Sequence, residues 1–95
     1  MLAMDWIDRY IKAGKADIEK NELVSLAFST DCRIRRRVAE NPRAPKNILR
    51  VLSKDSDAEV RLAVAGNPST PEQVLRELAR DADPTVRHGI AEDPR

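Results

Sequence analysis

Arg33, Arg36, Arg37 and Glu40 are spaced i, i+3, i+4 and i+7, which places four side chains on one strip of a helix. Three guanidinium groups so arranged can grip carboxylates or phosphates through paired N–H donors. The chemistry that follows is recognition of an acidic protein surface or, as the alternative, contact with nucleic-acid phosphates. No aromatic residue lies near the strip in sequence to stack a base. A plainer expectation is a solvated face whose charges pair with Asp or Glu of the next stretch of chain.

The other chemistry-bearing residues form no set. His88 is the single histidine and Cys32 the single cysteine, so one chain cannot assemble a soft-ligand metal cluster or an internal disulfide. Cys32 falls in a predicted first helical turn next to Arg33 and Arg35, where a thiol pKa can be lowered. Asp55-x-Asp57 and Asp81-x-Asp83 lack the glycine and distal glutamate of a calcium loop. No recurring base and nucleophile is found, so we expect no catalytic residue, metal or cofactor and a chain that is not an enzyme.

Elements must position the arginines, and the elements follow from a period. At an offset of 26, residues 34–59 (IRRRVAENPRAPKNILRVLSKDSDAE) align with 60–85 (VRLAVAGNPSTPEQVLRELARDADPT), and 86–95 (VRHGIAEDPR) begin a third copy. Shared columns include Arg35/Arg61/Arg87, Val38/Val64/Ile90, Asn41/Asn67/Asp93, Pro42/Pro68/Pro94, Leu49/Leu75, Leu52/Leu78 and Asp55/Asp81. Each copy predicts two short helices. The first opens after an aspartate cap, Asp57 or Asp83, with Pro84 at a first helical position. The Asn-Pro pair ends it. The second opens at Thr70-Pro71-Glu72-Gln73, with Thr70 as cap, Pro71 as first residue and Gln73 completing a capping box. Val60, Ala63 and Val64, then Val74, Leu75 and Leu78, form the inward stripes.

Leu23, Leu26 and Asp31 still fit the columns of Leu49, Leu52 and Asp57. Farther upstream the register fades. Residues 3–13 look helical, with Trp6, Ile7, Tyr10 and Ile11 on one side, and Phe28 stands where Lys54 and Arg80 stand later. An aromatic there can pack on Trp6 or Tyr10 and close the end of the stack. The expected organisation is a single domain, 1–95. Residues 1–21 are a capping helix and loop, 22–33 the second helix of the cap repeat, 34–59 and 60–85 repeats, and 86–95 a partial repeat.

Val60-Arg61-Leu62-Ala63-Val64-Ala65-Gly66-Asn67-Pro68-Ser69-Thr70-Pro71, followed by Val74-Leu75 and Leu78-Ala79, resembles the leucine-rich repeat variant family. Asp81-Ala82-Asp83-Pro84-Thr85-Val86-Arg87 is similar to short HEAT-like repeats. The resemblance implies an all-α fold, a right-handed α-solenoid of helical pairs with about seven short helices here, in the class of interaction scaffolds. Some family members hold an iron–sulfur cluster on an N-terminal cysteine cluster. With Cys32 alone, that feature does not carry over.

Columns kept in every copy are best spent on architecture. Arg35, Arg61 and Arg87, with Asp55 and Asp81, are expected to form a stacked Asp–Arg ladder, and Asn41 and Asn67 to bond backbone at the corners. Columns that vary are free for function, and Leu62 and His88 occupy the column of Arg36. The expected partner face is therefore Arg33, Arg36 and Arg37, extended by Leu62 and His88. Net charge is +1, yet residues 31–50 hold seven basic and two acidic side chains between acidic flanks. No apolar run is long enough to span a membrane, and a cytoplasmic setting is expected. The copy that stops at Arg95 leaves three readings open: a fragment of a longer array, an end covered by a partner or by a second copy as a homodimer, or a monomeric half-repeat.

Overall fold

The computed structural model describes residues 5–92. Among them all regular structure is helical, in seven short helices: α1 (Asp5–Ala13), α2 (Lys20–Leu26), α3 (Cys32–Glu40), α4 (Lys46–Leu52), α5 (Ala58–Gly66), α6 (Glu72–Leu78) and α7 (Pro84–Ala91). Asp93, Pro94 and Arg95, the third corner, lie outside the described residues, as do residues 3 and 4 of the expected first helix.

Local chemistry sets the starts of the odd-numbered helices from α3 onward. Asp31, Asp57 and Asp83 are N-caps 26 residues apart, and their carboxylates accept from the backbone N–H of Arg33 (2.9 Å), Glu59 (2.7 Å) and Thr85 (2.7 Å). The second helices start differently from the expectation. Pro45 and Pro71 are themselves the N-caps, and no side chain caps α4 or α6. The Thr70 hydroxyl instead donates to the Val64 carbonyl at 2.6 Å, tying the corner back to the end of α5. The proline ring fixes the φ of the entry, and the Pro45 and Pro71 carbonyls accept from Ile48 and Leu49 N–H and from Val74 and Leu75 N–H.

Helices this short are marginal alone, and packing must hold them. The odd-numbered helices stack in series, α1 on α3, α3 on α5 and α5 on α7, with α2, α4 and α6 flanking them. Ile34, Val38, Val60, Val64 and Val86 have no exposed surface, and Leu23, Leu49 and Leu52 close the core from the flanking layer. Each such side chain contributes about 1.5–3 kcal/mol when taken from water. The result is an elongated body of 41 × 23 × 19 Å.

The first helical pair holds the repeat geometry that its sequence obscures. Asn67 Nδ2 donates to the carbonyls of Ala39 and Asn41, and Asn41 Nδ2 donates to those of Ala13 and Lys15, in each case 28 and 26 residues back. Ala13 and Ala39 are thus equivalent, and both are fully buried. The pair departs from expectation in three places. Helix α2 begins at Lys20, two residues before the expected boundary. Ile11 is 53% exposed. Phe28 is 63% exposed and so does not close the end of the stack. It follows the last turn of α2, on the solvent side of the flanking layer.

Candidate interaction surface

The strip on α3 is built against α1. Arg33 donates through Nε and Nη2 to the two carboxylate oxygens of Asp31, at 3.0 and 2.7 Å, and its guanidinium lies 3.6 Å from the centre of the Trp6 ring. Arg37, one turn on, sits 5.1 Å from the Tyr10 ring centre and donates to Glu40 at 3.1 Å. Trp6 and Tyr10 meet edge to face with centroids 6.1 Å apart. Two aromatics at i, i+4 on α1 thus receive two arginines at i, i+4 on α3, a cation–π pairing that joins the first two repeats. Gly14 leaves the room: a Cβ there would collide with the Arg37 guanidinium.

Arg36 has a weaker partner, with Nε 3.9 Å from Glu40. The charges of the strip are met by Asp31 and Glu40, within α3 and its cap, and not by the next repeat as the plainer expectation held. The Nε atoms of Arg36 and Arg37 are buried against the packed surface with no acceptor among the described residues. Asp31 is held down to about pKa 2, first by the Arg33 side-chain hydrogen bonds. The matching i, i+4 spacings of Trp6/Tyr10 and Arg33/Arg37 were the signal for this pairing in the sequence.

In the Arg36 column of the next helices, Leu62 is half-buried and lies over Gly89, where an added Cβ would fall 2.6 Å from its Cδ1. His88 is exposed, 3.6 Å from Glu92. Arg36, Leu62 and His88 therefore form one row across α3, α5 and α7. Arg33 and Arg37 flank its first member.

The repeated arginines turn the other way. Arg35 makes a two-point contact with the carboxylate of Asp55 (2.8 and 3.2 Å), and Arg61 does the same with Asp81 (2.8 and 3.1 Å). The carboxylate comes from 20 residues ahead, within the same repeat. The aspartate six residues behind Arg61, Asp55, offers only its backbone carbonyl, at 2.7 Å. Arg87 repeats that backward bond, to the Asp81 and Ala82 carbonyls, and has no carboxylate partner among the described residues. Burial raises the Asp81 pKa, but Arg61 and the Asp83 N–H more than offset it and the carboxyl titrates low.

Cys32 behaves opposite to its first-turn expectation. Its hydrogen bond to the Asp57 carboxylate, with burial, pushes the thiol above its ordinary value, so the position does not make a reactive thiolate. Among the described residues no group of three acidic, His or Cys side chains could hold a metal ion, and no helix is long and apolar enough to cross a membrane.

An open groove of about 590 Å³ lies beside α6 and α7, lined mainly by Thr70, Leu75, Ala79, Arg76 and Ile90. The sequence places Thr70, Leu75 and Ile90 in the architecture and marks none of the lining for function.

Comparison with curated proteins and with solved structures finds no match. Residues 58–83 match the family model described as leucine rich repeat variant. That segment runs from the start of α5 to the cap of α7 and holds the Arg61–Asp81 pair. With its caps, corners and arginine pair recurring at 26-residue steps, the chain is a short array of helical pairs, one of which, residues 58–83, matches the leucine rich repeat variant model.

Proposed function

We propose that this repeat module is non-enzymatic and binds another protein along the row Arg36, Leu62 and His88, with Arg33 and Arg37 at its first end. One observation carries the reading. A single column of three stacked helices carries a cation, a half-buried aliphatic group and an exposed imidazole, while the neighbouring column (Arg35, Arg61) is spent on internal ion pairs. Variation at the surface over an invariant interior is how one scaffold acquires its own partner. The cytoplasm, where a lone cysteine stays a thiol, is the setting proposed for it.

Phosphate clamping by the same arginines is the weaker alternative. Arg33, Arg36 and Arg37 share Asp31 and Glu40, so little uncompensated charge is left for a polyanion. The test combines Arg36→Glu with His88→Glu, leaving Arg33 and Arg37 to hold α1. We expect an unchanged helical melt, loss of the partner recovered with the parent chain, and no binding to duplex DNA at low salt by either protein. Undiminished recovery of the same partner would remove the row from the interface.

A further inference from the structure

Two of the large apolar side chains that face water fall in columns that meet. Phe28 is 63% and Val51 48% exposed. Phe28 follows α2 as Lys54 follows α4 and Arg80 follows α6, and their backbone N–H groups donate to the carbonyls of Ser25, Val51 and Glu77, the same step back in each copy. The local backbone is thus repeated. Between α4 and α6 the two columns are joined by an ion pair, Lys54 Nζ to Glu77 Oε1 at 3.7 Å. One period earlier, between α2 and α4, the same columns hold Phe28 and Val51. An apolar pair stands where the next boundary carries a surface salt bridge, and Val24, half-buried one turn before Phe28, extends it.

The core does not need this pair. Leu23, Leu49 and Leu52 fill the inward side of α2 and α4. Val51 keeps its exposure in an interior repeat, with helical pairs before and after it. Added repeats extend a stack along its axis and leave its flank open. Charge of one sign surrounds the pair. Lys46 and Arg50 on α4, and Lys54 after it, are exposed, and α4 holds no acidic residue. In the columns of Lys46 and Arg50, α6 carries Glu72 and Arg76, which pair at 2.6 Å. Two cations in those places cannot close on each other.

We infer that the α2–α4 flank is a second docking site, and that it takes a short acidic segment of another protein, with an apolar side chain seated at Phe28 and Val51 and carboxylates on Lys46 and Arg50. A second copy of this chain is a poor occupant, because a twofold pairing of the face would set one group of cations against the other. Membranes and nucleic acids spread negative charge over a wider footprint, which along this flank meets Glu72 and Glu77 of α6. A single ring on the flank also offers bases only one stacking platform. The site lies on the flanking helices, apart from the row of Arg36, Leu62 and His88 on α3, α5 and α7.

The test titrates the isotopically labelled full chain with peptides Asp-Glu-Xaa-Glu-Asp-Xaa-Glu, in which Xaa is Leu, Ile, Phe or Trp. We expect the best of them to shift the Val24, Phe28, Val51 and Lys54 resonances first. Its affinity should fall about tenfold or more when its acids become Gln and Asn, or when Xaa becomes Ser. Phe28→Lys combined with Val51→Glu installs the pair that already joins α4 to α6, so the thermal midpoint should hold within about 3 °C while peptide affinity falls by a similar factor. Lys46→Glu, which gives Arg50 the partner that Arg76 has, leaves the apolar pair alone and should weaken binding severalfold. No shift at this flank from any peptide, shifts that survive the double substitution, or binding indifferent to the charge of the peptide would overturn the inference. So would tighter binding of phosphatidylserine vesicles or single-stranded DNA through the same residues, or self-association that the double substitution abolishes. Because Phe28→Lys/Val51→Glu spares the outer row and Arg36→Glu/His88→Glu spares this flank, the two proposals fail separately.

Discussion

At the residue scale the most testable group is Asp31. Its carboxylate caps α3 and takes two hydrogen bonds from Arg33, which hold its pKa at about 2 against an ordinary 3.8. A folded-state value below the unfolded one gives stability that is fully present above pH about 4 and is lost as pH falls through about 2. Asp57 and Asp81 are lowered as well, so they add to an acid limb of the same sign. NMR titration should find Asp31 near 2, and Arg33→Gln should return it toward 3.8; a normal value in the parent chain would contradict the geometry. Glycine gives a second case. A Cβ on Gly66, at the end of α5, meets no atom within 4 Å, whereas one on Gly14 strikes Arg37. Gly66→Ala is therefore expected to stabilise by about 0.4–1 kcal/mol, through a less flexible unfolded chain. Gly14→Ala should destabilise by displacing Arg37 from Tyr10, and chemical denaturation of the two variants measures the opposite signs.

At the scale of elements, the joints between repeats carry the polar cost of stacking. Asn67 is 2% exposed and bridges two carbonyls of the previous corner while accepting from the Ser69 N–H at 2.8 Å. Asn67→Ala strands these groups in a dry site and should cost about 2–3 kcal/mol. Asn41→Ala should cost less, since its Lys15 acceptor is nearer solvent; urea titrations would rank the two. Much of this layer was legible in the sequence because the same columns recur: the aspartate caps, the Asn-Pro corners and the involvement of Arg35 and Arg61. The direction of the ladder was not. Sequence separation favours the aspartate six residues behind each arginine, but helix geometry turns the guanidinium fork toward the carboxylate 20 ahead in the same repeat, and only a backbone carbonyl six residues back is bonded across the repeat boundary. The first pair was hidden for a related reason. Its corner lost Asn and Pro, yet a backbone carbonyl has no side-chain requirement, so Ala13 and Lys15 still receive Asn41. Phe28 misled because its column faces water in every copy, whatever residue fills it.

At the scale of the whole molecule, position along the stack decides what an identical residue is worth. In a quasi-one-dimensional array each repeat is stabilised by its own fold and by the interfaces on either side, so interior repeats hold two and terminal ones hold one. Leu49 and Leu75 make the comparison internal to the chain. Leu49 has no exposed surface beneath the next helical pair, while Leu75 borders the open groove. Truncating Leu49 to Ala leaves a closed cavity and should cost about 3–5 kcal/mol; Leu75→Ala removes side-chain atoms that already touch solvent and should cost roughly half as much. Native-state hydrogen exchange should show the same gradient without mutation. Amides of Val38, Leu52 and Val64 are expected to exchange through the global opening, and those of α1 and α7 through cheaper fraying of the ends. Equal protection from α1 to α7 would mean the stack opens as one cooperative block. In that case the outer row would be displayed on a rigid frame throughout. The gradient expected here instead gives the Arg36 end a firm support and leaves His88, on α7, free to adjust to whatever it meets.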